Sequence, residues 1–378
     1  MNRIQHIQYP VGQGGLHLGI VDNVAYIYDC GSVCESRSIS YVQNVVNTLN
    51  DKGIKNLYIF ISHLHTDHVC ALPELLRQLS KQIKIYLFLP YITPIEKLYL
   101  IASLGSVSQW LINFIVNPQS ITKFLEVPEL SVVYISDKEQ QKQENDIDKT
   151  SIKSCAEITY TIAKKINVPD FVFVPFVYPN FTQHNTSLFK SKVQSLLATT
   201  SWPLKNSELQ HIVDNDNKLR QLCKVYGLLT SSINYTSLCL YVGFETTFCK
   251  SEIFTWNCCC NHFEYQSEPG WLHTGDYNLK CGKRSKYGNH FVTHYCKYFD
   301  HVGVIQIPHH GSSDNINGCF IDNFKLQDAV FFITGEMCPV GKEQPKRITK
   351  VLQQINQPVL LVSELPCSGI TQIVRNKI

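Results

Sequence analysis

The stretch Ile59-Phe-Ile-Ser-His-Leu-His-Thr-Asp-His68 constrains this chain more than any other. It places His63, His65, Asp67 and His68 within six residues, directly after the apolar β-type run Leu57 to Ile61. Neutral imidazoles and a carboxylate are the ligands that zinc, manganese or iron prefer, and on a strand-to-helix turn this spacing lets them converge on one point. Packing alone does not require three histidines and an aspartate in one turn. Downstream, Leu72, Leu75, Leu76 and Leu79 recur at helical spacing, and Pro73 falls where a first helical turn tolerates it. The loop is therefore expected between a buried strand and an amphipathic helix, flanks rigid enough to hold ligands in place.

The pattern His63-x-His65-x-Asp67-His68 resembles the metallo-β-lactamase-fold hydrolases, and further segments follow that family's order. Val11-Gly-Gln-Gly14 precedes Ala25-Tyr-Ile-Tyr-Asp-Cys-Gly31, whose Asp29 matches the aspartate that supports a metal histidine from behind. The Val-Gly-Gln-Gly wording is similar to the soluble hydrolase domain of ComEC/Rec2-like DNA-uptake proteins and their stand-alone relatives. That branch continues with Asp-Ala, whereas this chain reads Gly15-Leu16. Asn234-Tyr-Thr-Ser-Leu238 resembles the branch's Asn-x-x-Ser-Leu segment, with His184 in Thr182-Gln-His-Asn-Thr-Ser187 as the alternative that completes the first metal site. Trp271-Leu-His-Thr-Gly-Asp276 resembles the turn whose aspartate bridges two metals, and Ile307-Pro-His-His-Gly-Ser312 the strand end that delivers the last histidine. Ser363 to Ile373 is similar to the closing hairpin, although the branch's His-Pro is replaced by Gln344-Pro345.

The resemblance implies an α/β fold, a metallo-β-lactamase αββα sandwich with a large insertion. Its core would be residues 1–90 and 230–378 of a single domain spanning 1–378, with about 91–230 inserted as a cap or partner-docking region. It implies two divalent ions, zinc or manganese. His63 and His65 would hold the first; Asp67, His68 and His309 the second; Asp276 would bridge them. His309 and His310 compete for the last ligand position. His309 is preferred, which leaves His310 to touch substrate or protonate the leaving oxygen. Asn234 stands beside the first metal. Ser312 is open between a phosphate donor and a turn residue that satisfies its own backbone. Paired ions lower the pKa of a bridging water towards neutrality, so a metal-bridging hydroxide is the expected nucleophile.

The expected activity is that of a metal-dependent phosphodiesterase, more narrowly a nuclease on DNA or RNA. The alternatives are a hydrolase of a small phosphodiester (a cyclic nucleotide or phosphocholine ester) and a metal-bound module of a defence or DNA-uptake complex with little activity alone. The insertion offers a surface for a protein partner. Its Trp110, Lys123, Trp202 and Lys205 fit either base stacking and phosphate contact or ordinary core aromatics and solvated lysines.

Composition agrees with a globular chain. It has 378 residues, 44% hydrophobic and 17% charged, with a net charge of +3 that neither requires nor excludes nucleic acid. No apolar run approaches the roughly 18 residues of a membrane helix, and the start lacks a signal-peptide core, so a cytoplasmic protein without membrane contact is expected. Its 15 cysteines are then expected as thiols, with Cys239, Cys319 and Cys338 acting as small hydrophobes. The run Cys258-Cys-Cys260 with His262 does not match the spacing of a structural zinc site and is read as an insertion loop. Within 91–230, helix-like stretches (Ile95 to Trp110, Ser191 to Leu197) flank a strand-like run, Phe171 to Val177, and the polar Asp137 to Lys149 reads as an exposed excursion. His211, His262, His290, His294 and His301 lie outside any pattern. Oligomeric state is open.

Overall fold

The period-2 and continuous apolar runs form β1 (Ile4–Gln8), β2 (Gly14–Val21), β3 (Val24–Ser32), β4 (Asn56–Phe60), β5 (Lys84–Pro90), β6 (Leu130–Ser136), β7 (Ile152–Ser154) and β8 (Phe171–Phe176). They continue with β9 (Cys239–Phe244), β10 (Ser251–Thr255), β11 (Glu264–Ser267), β12 (Gly270–His273), β13 (Val302–Gln306), β14 (Val330–Thr334), β15 (Val359–Val362) and β16 (Ile370–Val374). The helices are α1 (Glu35–Asp51), α2 (Thr66–Val69), α3 (Leu72–Gln78), α4 (Pro94–Leu104), α5 (Gln109–Val116) and α6 (Cys155–Ala163). After them come α7 (Gln183–Leu196), α8 (Asn206–Val213), α9 (Asp216–Tyr226), α10 (Lys286–Tyr295) and α11 (Gly318–Ile321). This computed structural model describes residues 4–79, 81–105, 108–125, 129–136, 151–166, 168–178, 183–196, 204, 206–226, 237–246, 251–256, 264–281, 286–324, 329–336, 355 and 359–374.

The result is an α/β protein. One sheet runs β11-β10-β16-β1-β2-β3-β4-β5-β6-β7, and the other β15-β14-β13-β12-β9-β8. The strands β3 to β7 are mutually parallel, as are β12 to β15. Parallel strands buried on both faces read as near-continuous apolar runs, and Leu57 to Ile61 is such a run. Alternate residues of β4 serve two cores. Leu57 and Ile59 join α1 and α3 on one side of the larger sheet, while Tyr58 and Phe60 meet Phe173 and Val242 of the smaller sheet. A further cluster packs α10 and α11 against the smaller sheet.

Strand β4, helix α3 and strand β8 match their sequence readings closely. The helical stretch Ile95 to Trp110 divides instead into α4 and α5, because α4 ends on Gly105 at φ 66°, a left-handed stop that glycine tolerates. In the segment 91–230, β6 and β7 extend the larger sheet, β8 extends the smaller one, and α4 packs against α5, α7 and α9. Trp110 packs on the core, as the plainer reading had it. Cys239 is buried as expected, whereas Cys319 is exposed on α11, where a four-residue helix leaves it facing solvent. The cysteines among the described residues are free thiols. Asp137 to Lys149, Trp202, Lys205, Asn234, the run Cys258 to Cys260, His262, Cys338 and Gln344-Pro345 lie outside the described residues.

Between the sheets lies a polar cluster with no counterpart in the sequence reading. His6 of β1, His17 of β2 and His273 of β12 place ring nitrogens 3.0, 3.0 and 3.4 Å from the Tyr26 hydroxyl. All four residues are fully enclosed, and burial holds the Tyr26 phenol in its protonated form. A hydroxyl donates one hydrogen bond and accepts two, so one oxygen can serve three rings. Burial lowers the His6 pKa to about 3. It also lowers His17 and His273 well below 6.5, with neighbouring imidazoles adding to the effect.

The consequence for stability has a definite sign. Below the ordinary value of 6.5 the unfolded chain takes up protons that these folded histidines refuse, so stability present above that pH is lost as pH falls. Each histidine kept neutral costs about 1.4 kcal/mol per pH unit in that window. Urea unfolding midpoints should therefore drop between pH 6.5 and 5, before carboxylates titrate; a midpoint constant over that range would contradict the reading.

Candidate metal centre

The centre is built where β4, β12 and β13 end, at the carboxyl ends of parallel strands, where open α/β sheets place their ligands. The loop after β4 carries His63 and His65 and turns into α2, which holds Asp67 and His68. The Thr274-Gly275-Asp276 turn leaves β12, and His309 and His310 follow β13.

Glycines let this loop sit close to the sheet. A Cβ on Gly14 would lie 2.5 Å from the Asp67 carbonyl, and one on Gly31 2.7 Å from that carbonyl and from the Val69 amide. A Cβ on Gly275, at φ 52°, would lie 2.6 Å from that of Ser62. Gly15, where the resembling branch carries aspartate, has no room either, since its Cβ would lie 2.8 Å from that of Asp29.

Asp29 is fully buried and in the left-handed region at φ 57°. Its Oδ1 accepts from the Ser62 amide at 2.7 Å, and its Oδ2 accepts from the Ser62 hydroxyl and from His68 Nδ1, both at 2.8 Å. A proton on Nδ1 leaves Nε2 as the atom that faces the cluster. Ser62 Oγ also stands 3.0 Å from His63 Nδ1.

The Asp276 carboxylate divides the cluster. Its Oδ2 lies 3.6 Å from His63 Nε2 and 3.7 Å from His309 Nε2. Its Oδ1 lies 3.7 Å from His68 Nε2 and 3.8 Å from His310 Nε2. Asp67 Oδ2 belongs to this second half, 3.4 Å from His310 Nε2 and 3.7 Å from His68 Nε2. His65 Nδ1 is 3.0 Å from His63 Nε2 on the first half. Two sets could hold an ion with donor atoms all within 4.8 Å of one another: His63, His68 and Asp276, and Asp67, His68 and His310. The Nε2 atoms of His68 and His310 are buried and make no hydrogen bond among the described residues. Ring nitrogens aimed without a partner at buried carboxylates fit a divalent cation.

The cluster favours positive charge between its carboxylates, carried by imidazole where an ion would carry it. Burial opposes a charge on His68, yet Asp29 and Asp67 outweigh it and push its pKa up to about 10. Burial likewise opposes ionisation of Asp67, but His68 and His310, whose Nε2 stands 3.4 Å from Asp67 Oδ2, hold it well below the usual carboxylate range. Asp276 is held low against burial by His63, His310 and His68. His63 goes the other way, lowered by burial and by His68, and so is kept as a neutral donor.

Of the two adjacent histidines, His310 lies inside, its side chain 6% exposed, and its Nδ1 is 3.2 Å from the Thr334 carbonyl. His309 is 35% exposed, with Nδ1 3.1 Å from Asn315 Oδ1. Both have positive φ, 50° and 53°, a conformation that non-glycine residues hold only at a cost of about 1–3 kcal/mol each. Ser312 is buried, and its hydroxyl accepts from the Asp314 amide at 3.3 Å, a turn contact. Asn234 is outside the described residues and nothing is described of the His184 side chain, but Ser237 of the same Asn-x-x-Ser-Leu segment reaches the centre. Its hydroxyl accepts from the Asp276 amide at 3.3 Å and lies 3.5 Å from His63 Nδ1. Sequence reading passed over Ser62, Ser237, Thr334 and Asn315. Ser62 and Ser237 stand inside quoted segments, yet serine is too common to signal a role; Thr334 and Asn315 had no signal.

No family model matches the chain. A stretch of 57 residues is 33% identical to the hydroxyacylglutathione hydrolase of Synechococcus sp. (strain WH7803), covering 15% of this chain and 22% of that protein. The match spans about a fifth of the relative's length; it supports the metallo-β-lactamase fold superfamily only and carries nothing on the ComEC/Rec2 branch. Among the described residues no helix is long and apolar enough to cross a membrane.

Asp29→Asn keeps an acceptor for the Ser62 amide and removes the charge that fixes His68. Metal affinity should fall about 10–100-fold in competition with a chromogenic chelator, with the fold retained. Unchanged affinity would contradict the role given to Asp29.

Proposed function

We propose that this chain is a dinuclear-metal phosphodiesterase of the metallo-β-lactamase αββα sandwich type, acting as a nuclease on DNA or RNA. The observation that carries the reading is the Asp276 carboxylate, whose two oxygens face different sets of ring nitrogens. In this reading His63 and His65 hold one ion, Asp67, His68 and His310 hold the other, and Asp276 serves both. His310 takes the ligand position that the sequence argument gave to His309, because it is the enclosed ring of the pair and the one grouped with Asp67 and His68. When bound, the ions, zinc or manganese, supply Lewis acidity and a water of near-neutral pKa.

The chain's own residues do the rest. Asp29 and Ser62 fix the imidazole rings before substrate arrives, so no reorganisation is needed during reaction. His309, half open to solvent beside Asp276, is assigned the proton of the leaving oxygen. The substrate class rests on the Val-Gly-Gln-Gly and Asn-x-x-Ser-Leu wording. A second reading, a thioester hydrolase, is favoured by the similarity to hydroxyacylglutathione hydrolase.

The test is turnover by protein stripped with chelator and reloaded with manganese or zinc. Substrates are single- and double-stranded DNA, RNA, bis(4-nitrophenyl) phosphate and a hydroxyacylglutathione. Wild type should cleave a nucleic acid, and Asp67→Ala should lose on the order of a thousandfold. Metal-loaded protein that leaves every phosphodiester intact but hydrolyses the thioester would overturn the proposal in favour of the second reading. His309→Ala should keep the wild-type metal content and lose kcat.

A further inference from the structure

A cavity of about 450 Å³ lies where β5, β6 and β7 meet α6, and none of the described residues that line it belongs to the metal centre. That volume falls within the range of small-ligand pockets, about 300–1,000 Å³. Its floor is aromatic. Tyr58 and Tyr86 are stacked with ring centres 5.2 Å apart, and Phe88 lies beside Tyr58 at 6.0 Å. Among the described residues its charge is of one sign, since Lys153 and Lys165 line it and none of those lining it carries a carboxylate. The Lys165 ammonium donates to the Tyr86 hydroxyl at 2.7 Å and lies 4.2 Å from the centre of that ring.

Tyr58 is the informative residue. It lines the cavity with only 1% of its surface exposed, and its hydroxyl is buried with no hydrogen-bond partner among the described residues. Burial, and then Tyr86, raise its pKa, so the group remains an O–H donor. A buried hydroxyl without a partner costs about 1–3 kcal/mol, which a phenylalanine would avoid. An acceptor on a ligand removes that cost.

We infer that this cavity is a binding site for a small organic anion carrying a planar ring, the class that includes nucleoside monophosphates. The ring lies against the tyrosine floor, and the anionic group is held by Lys153 and Lys165 with the Tyr58 hydroxyl donating to an acceptor. Lysine and aromatic rings together provide charge and stacking, the two attractions such a molecule needs. The site is separate from the metal centre, and its occupancy does not depend on the proposed activity.

The experiment is titration calorimetry on the full-length protein after chelation, which removes metal-centre binding. The probes are AMP, UMP, phenyl phosphate and 4-hydroxybenzoate, with inorganic phosphate and adenosine as half-ligand controls. At least one ring-bearing anion should bind saturably at one site per chain and at least tenfold tighter than either control. Lys165→Met should weaken it about tenfold. Tyr58→Phe should weaken it several-fold while leaving the melting temperature unchanged or higher, which a purely structural tyrosine would not do. No saturable binding of any of the four anions at millimolar concentration overturns the inference, as does binding that both variants leave intact.

Discussion

The centre depends on one buried carboxylate. Asp29 holds the Ser62 amide, the Ser62 hydroxyl and His68 at 2.7–2.8 Å, and it does so from inside a strand, where its neighbours are fixed by the sheet. Without that anchor the loop after β4 would lose the bonds that aim its rings. A fully enclosed carboxylate is costly by itself. Here hydrogen bonds donated by a backbone amide, a hydroxyl and an imidazole offset the cost.

Much of this was legible in the chain. The residues from His63 to His68 announced themselves because histidine and aspartate at that density have no packing use, and β4 and α3 followed from apolar periodicity. Gly14, Gly31 and Gly275 were legible as words, and the structure supplies their reason in backbone approaches that leave no space for a side chain. Other features were not legible. Sequence order cannot say which of two adjacent histidines turns inward, because that depends on the left-handed backbone at His309 and His310 and on Thr334 from a strand beyond. Ser62 and Ser237 act through contacts that no periodicity records. The break between α4 and α5 turned on a single glycine.

Strand β12 ties the centre to the body of the fold. Its His273 belongs to the cluster around Tyr26 between the sheets, and the next three residues form the turn that ends in Asp276. His273 also stacks on Tyr28, whose hydroxyl donates to the Leu238 carbonyl at 2.6 Å, next to Ser237. The position of Asp276 is thus set by packing between sheets as well as by its own hydrogen bonds, the kind of support that keeps ligand geometry within about half an ångström. The left-handed residues Asp29, His309 and His310 hold conformations that this surrounding rigidity can sustain.

The central claim is that Asp276 stands between two ions. Anomalous diffraction from crystals of wild-type protein loaded with manganese or zinc tests it most directly. The account predicts two peaks on opposite sides of the Asp276 carboxylate, one beside His63 and His65 and one beside Asp67, His68 and His310, with the second lost in His310→Ala and kept in His309→Ala. A single peak in fully loaded crystals, or a second peak that survives His310→Ala and disappears with His309→Ala, would contradict it.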